Sequence, residues 1–128
     1  MEDTELDARD IARLLSVARI VIGVSAWLAP RRFSRAWTGE EVTGPAGTMA
    51  LRGLGARDAA LGMGTLLALE GEGPARRWIE VSALADASDA VSVLMSWGRL
   101  SWGRRLIALS SATTGCYLGV KIADSVDA

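Results

Sequence analysis

At 128 residues, half of them hydrophobic and with a positive mean hydropathy, the chain fits a single domain and is more apolar than a soluble domain of its size. A formal net charge of −1 with dispersed basic residues excludes a nucleic-acid footprint. The absence of histidine removes Ser-His-Asp and Cys-His catalysis, histidine-bound metals and histidine pH switches, and the single Cys116 excludes an intrachain disulfide or a multi-cysteine metal centre. No metal and no cofactor are therefore expected.

The first ten residues carry five acids and one arginine, the reverse of the basic start of an export signal, and no cleavable signal is expected. An apolar segment over 11–28 follows and ends at Ala29-Pro30, where proline stops a helix. The basic run Arg31, Arg32 and Arg35 then leads into a polar connector with Gly39, Glu40, Glu41, Gly44 and Pro45. A second segment spans 49–69 and breaks at the Gly-rich turn before Pro74. A third covers 78–97, and a short turn with Gly98 and Arg99 precedes a fourth over 105–122.

Segments of 18 to 21 residues rise about 27–32 Å as helices, close to the roughly 30 Å of a bilayer core. Hydropathy alone does not separate a membrane bundle from a soluble one, because none of the four has 18 consecutive uncharged residues. The tryptophans favour the membrane. Trp27, Trp78, Trp97 and Trp102 stand at segment ends and Trp37 in the first connector, where headgroup-level aromatics belong. The expected fold is all-α, a four-helix transmembrane bundle with short loops. Arginine and lysine divide almost evenly between its two sides, Arg31, Arg32, Arg35, Arg99, Arg104 and Arg105 against Arg9, Arg13, Arg76, Arg77 and Lys121, which leaves orientation open.

Against that background, Arg19, Arg57, Asp58, Asp86 and Asp89 fall inside the apolar segments. A charge at the centre of a bilayer helix costs about 2.5–3.5 kcal/mol, so five unpaired ones would cost about 15 kcal/mol. They must pair or line a cavity. In the third segment Ser82, Asp86, Asp89, Ser92 and Ser96 recur at helical spacing and form one stripe. Ser16, Arg19, Gly23 and Ala26 do the same in the first segment, and Asp58, Gly62 and Thr65 in the second, with Arg57 turned about 100° from Asp58. Ser110, Thr113 and Tyr117 make a milder line in the fourth. Two carboxylates one turn apart need cations, and Arg19, Arg57 and Arg52 are available, so an Arg/Asp network about halfway along the bundle is expected.

Gly53-Leu-Gly55-Ala-Arg-Asp58 opens like a dinucleotide-binding GxGxxG, but aspartate takes the sixth position and no strand precedes it. Gly55, Ala59, Gly62 and Gly64 are expected instead to let helices approach closely. The run from Leu51 through Arg52, Gly53, Gly55, Arg57 and Asp58 to Gly62, followed about 25 residues later by Asp86 and Asp89, resembles a family of small bacterial and fungal integral membrane proteins of unknown function. The resemblance covers most of the chain and implies four membrane helices in a bacterial cytoplasmic membrane, with Arg52, Arg57, Asp58, Asp86 and Asp89 at shared positions. It implies no activity.

The functional expectation is a membrane module that binds a small lipophilic ligand or a partner, or forms a homo-oligomer, through Arg19, Arg52, Arg57, Asp58, Asp86 and Asp89, or whose cluster holds the bundle together. The lipid bilayer is its expected partner, and nucleic acid is not. The alternative is a membrane isomerase, cyclase or epoxide-opening enzyme with Asp86, Asp89 or Asp58 as acid and Arg57 as clamp. A soluble four-helix bundle that dimerises through an apolar face is the third reading.

Overall fold

A computed structural model describes residues 7–71 and 73–126. Among these the chain is all helical: α1 (Ala8–Leu28), α2 (Pro30–Thr38), α3 (Gly44–Glu70), α4 (Ala75–Met95), a 3-10 turn (Trp97–Arg99) and α5 (Trp102–Ala123).

Helix α2 departs from the expected connector. Pro30 does end α1, since Ala29 leaves helical geometry at φ −130°, but the proline then occupies the first position of a new helix. There its missing N–H costs nothing and its fixed φ suits the first turn. Gly39 closes α2 in the left-handed region at φ 84°. Helix α3 starts at Gly44, five residues before the apolar pattern does, with Pro45 in its first turn. The polar opening turn gives no hydrophobic periodicity to read.

The most extensive packing joins α1 to α3 and α4 to α5, while α3 meets α4 less closely and α1 barely touches α5. Small residues make the two close pairings possible. A Cβ on Gly23 would collide with the Gly55 carbonyl oxygen and lie 2.6 Å from the Ala59 nitrogen, and one on Gly62 would lie 2.6 Å from the Ser16 oxygen. As position rises along α1 it falls along α3, so the two run antiparallel. Across α4 and α5, Ala83 meets Gly119 and Asp86 meets Gly115 in the same antiparallel sense. Gly64 leaves room for the Trp78 ring between α3 and α4.

All four long helices come together at the end that holds the 71–74 turn. Ala12, Ala68, Leu69, Ala75, Ile79, Ile122, Ala123 and Val126 form an apolar cluster there. Arg9 fastens it: its Nη2 donates to the Leu69 carbonyl at 2.6 Å and its Nη1 to the Val126 carbonyl at 3.0 Å, near the ends of α3 and α5. A cation on carbonyls that a helix end leaves unpaired also complements the helix dipole. At the opposite end α2 lies across the bundle, with Phe33 stacked on Trp37 and Arg104 donating to the Ala36 carbonyl.

Side-chain size is inverted relative to a water-soluble bundle. Most buried apolar residues are alanines, while Leu14, Val17, Val21, Val24 and Leu28 form an outward stripe on α1, and Leu84, Val91 and Leu94 face outward on α4.

Gly23→Ala should lower unfolding stability by about 1–3 kcal/mol through overpacking against α3. Gly53→Ala, where an added Cβ meets nothing within 4 Å, should be neutral or stabilising by up to about 1 kcal/mol. Thermal unfolding followed by circular dichroism compares the two, and equal behaviour would count against a close α1/α3 contact.

Candidate functional site

Helical rise puts the five embedded charges at one height. Counted from the end that holds the 71–74 turn, Arg19, Arg57, Asp58, Asp86 and Asp89 lie about 16–21 Å along their helices. They form a single alternating chain. Asp86 Oδ2 accepts from Arg19 Nη2 at 2.5 Å, and Arg19 Nη1 reaches Asp58 Oδ1 at 3.3 Å. The same Asp58 oxygen accepts from Arg57 Nε and Nη2 at 3.1 and 2.9 Å. Arg57 then grips Asp89 with both terminal nitrogens, at 3.1 Å to Oδ1 and 2.8 Å to Oδ2. Such paired N–H···O bonds are the strong, geometrically specific form of an ion pair. The order Asp86, Arg19, Asp58, Arg57, Asp89 starts and ends on α4 and passes through α1 and α3.

Arg57 joins despite its rotation from Asp58, because its long side chain folds back until the guanidinium lies beside its neighbour's carboxylate. Arg52, expected as a third cation, stays outside. It is an exposed residue one and a half turns nearer α2, where its Nε donates to the Trp27 carbonyl at 3.2 Å and its guanidinium lies 5.9 Å over the Trp27 ring. It serves the end of α1 and not the network.

A cavity of about 430 Å³ runs along the bundle beside the charges. Ser82, Asp86, Asp89 and Ser92 line it as the α4 stripe requires, whereas Ser96 falls past the last turn of α4. Ser16, Arg19, Asp58 and Thr65 complete the polar wall. The hydroxyls of Ser16 and Thr65 donate back to their own helices, at 2.7 Å to Ala12 and 2.9 Å to Leu61, so they present little polarity to the cavity. Ser82 Oγ is buried with no hydrogen-bond partner among the described residues.

Helix α5 corrects the sequence expectation. Ser110, Thr113 and Tyr117 face outward, and the cavity side is Ala108, Ser111, Ala112, Gly115 and Gly119. Thr113 Oγ1 donates to the Leu109 carbonyl at 2.7 Å, so its hydroxyl needs no interior partner. Gly115 belongs to the site without any sequence signal for it: a Cβ there would sit 2.5 Å from Asp86 Oδ2, so only glycine leaves the carboxylate its place. Trp37 is a second such residue. Carried by α2, it lines the cavity near that end of the bundle.

The site offers carboxylates held by guanidinium groups and no histidine. Cys116 is half-buried and does not line the cavity. Among the described residues no three acidic or cysteine side chains converge as a metal site. Asp58 Oδ2 and Asp86 Oδ1 accept no hydrogen bond from any described residue.

Arg19→Gln should destabilise the fold by about 3–5 kcal/mol, since it strands Asp86 and weakens the hold on Asp58 in a largely buried setting. Arg13→Gln, which breaks the exposed pair with Asp10, should change stability by less than about 1 kcal/mol. Chemical unfolding of the two variants measures the contrast. In comparisons with family models, with curated proteins and with solved structures, nothing matches this chain.

Proposed function

We propose that this chain is a four-helix integral membrane protein that holds a small lipophilic ligand in its central cavity, against the Arg/Asp chain. One observation carries the membrane reading. On α1 between Arg13 and Arg31, on α3 between Arg52 and Glu70, on α4 between Glu80 and Arg99, and on α5 between Arg105 and Lys121, the only charged residues are Arg19, Arg57, Asp58, Asp86 and Asp89. All five turn toward the bundle interior. The outer surface of these stretches carries no charge and exposes large apolar side chains, including Val21, Met63, Leu84 and Ile107, among a few hydroxyls. These belts of 15 to 18 residues rise about 22–27 Å, near the thickness of a bilayer core.

Water gives no reason to sort charges this way. Hydrocarbon does, because association there relies on close packing of small residues and on interior polar contacts, while large apolar side chains meet lipid. Helices α1 and α5 are long and apolar enough to cross a membrane. Helices α3 and α4 fall short of that measure because of charges that in this reading never meet lipid. Trp27, Trp97 and Trp102 stand at one edge of the belt and Trp78 at the other, as interfacial aromatics do. Helix α2, with Arg31, Arg32 and Arg35 exposed, suits the headgroup layer. The resemblance of the Arg52 to Asp58 run to small bacterial and fungal membrane proteins supports the same reading, and with it a bacterial cytoplasmic membrane.

The cavity supports ligand binding over a purely structural lock. A network that served only to fix register would need no open space beside it, whereas 430 Å³ lies within the range of small-molecule sites, roughly 300–1,000 Å³. On fractionation the protein should stay with membranes through alkaline and high-salt washes and be released by detergent. Recovery in the aqueous phase would instead favour a soluble bundle. Native mass spectrometry of the detergent-purified protein should detect a bound lipophile, and Ala112→Phe, which fills the cavity from α5, should abolish that adduct while leaving helicity unchanged.

A further inference from the structure

The charges of the ion-pair chain beside the cavity do not balance. Arg19 and Arg57 contribute +2 and Asp58, Asp86 and Asp89 contribute −3, so the ionised chain carries −1. No other helix makes up the difference. Helix α5 lines the cavity with small residues, one serine and Ile122, and α2 with Trp37, none of them charged. Cations toward the α2 end are engaged elsewhere: Arg52 with the Trp27 carbonyl, Arg104 with the Ala36 carbonyl and Arg105 with the Leu100 carbonyl and the Trp97 ring. The two oxygens that accept no hydrogen bond among the described residues, Asp58 Oδ2 and Asp86 Oδ1, belong to carboxylates that line the cavity. An ionised carboxylate only accepts hydrogen bonds, so a cation that donates them would both engage these oxygens and balance the charge.

The shape narrows the occupant further. Lining residues run from Ile122 in the apolar cluster, with Ala12 and Ile79 about 6 Å along their helices, to Val93, about 27 Å along α4, a length of about 20 Å or more. That length admits an extended hydrocarbon tail. From the charges toward the closed end the wall is mainly Leu15, Ile79, Ala83 and Gly119, with the Ser16 and Thr65 hydroxyls turned away and Ser82 the one hydroxyl there without a partner among the described residues. Toward α2, Ile22, Leu54, Ser92 and Ser111 line the cavity and are also exposed, so it opens in that half of the bundle.

We infer that the ligand is an amphiphile with a protonated amine, its ammonium group set at Asp86 and Asp58 and its tail lying toward the closed end. The inference rests on the ligand-binding reading above and adds the sign of the ligand's charge. One uncompensated charge shielded from water favours a cation over an anion by several kcal/mol before screening, and even a small remnant of that is tenfold in affinity.

The test uses the full chain in an uncharged detergent, with decylammonium, decanol and decanoate as probes and calorimetry as the readout. Decylammonium is expected to bind at least about tenfold more tightly than decanoate, with decanol between them. Asp86→Asn should remove the preference, and Asp89→Asn, at the more exposed end of the chain, gives the same reading if the first variant does not fold. Ala112→Phe should block decylammonium. Equal binding of all three probes, or tighter binding of decanoate, would overturn the charge inference and leave ligand binding standing, the surplus carboxylate then carrying a proton. Decylammonium binding that survives Ala112→Phe would mark a surface effect and overturn it as well. If no probe binds, the cavity reading and this one fall together.

Discussion

Five charges set away from water must satisfy one another, and this requirement orders the rest of the molecule. An isolated guanidinium or carboxylate in a low-dielectric interior carries a desolvation penalty of several kcal/mol, which attraction offsets only at good geometry. The chain from Asp86 to Asp89 meets the condition by making each arginine serve two acids. Because its members come from α1, α3 and α4, no two of these helices can shift along their axes without losing a bond. Helix α5, which contributes no charge to that chain, is held at its level by shape: Gly115 and Gly119 fit against Asp86 and Ala83.

Close packing and open space divide the bundle between them. Glycine and alanine bring α1 against α3 and α5 against α4 until backbones nearly touch, and the two pairs then face each other across a cavity bridged by ion pairs. Side chains large enough to fill that gap, such as Leu84 and Val91, are turned outward. At one end the apolar cluster and the Arg9 fork close the space, while α2 and the 96–101 turn leave the other end less tightly bound. A bundle built this way is firm at its base and compliant near α2, since local stability follows the density of buried contacts.

Much of this arrangement is legible in the periodicity of the sequence. The 4, 3, 3 spacing from Ser82 to Ser92 identifies a helical face whatever the fold, and the structure lines the cavity with it. The cost of isolated charge requires Arg19, Arg57 and the aspartates to meet, and they do. What escapes depends on geometry that spacing does not encode. Arg52 and Arg57 look equivalent as cations, yet a difference of five residues along α3 takes Arg52 to the level of Trp27. Ser110 and Thr113 look like an interior line only if their hydroxyls need partners, and in a helix the preceding turn supplies one. Pro30 and Gly39 read as breakers, although one opens a helix and the other closes it. Gly115 carries no signal beyond being small, and its importance follows from the carboxylate opposite.

The order of the charges along the polypeptide has a consequence for how the bundle is made. Synthesis delivers Arg19 first, then Arg57 with Asp58, and only then Asp86 and Asp89. The running sum of embedded charge is therefore +1 after α1, still +1 after α3, and −1 once α4 arrives. On the membrane placement proposed above, the first two long helices would wait as a cationic pair, open to any nearby anion, until α4 reverses the sign. A nascent intermediate of this protein would thus attract molecules of the opposite charge to the ammonium inferred for its finished cavity.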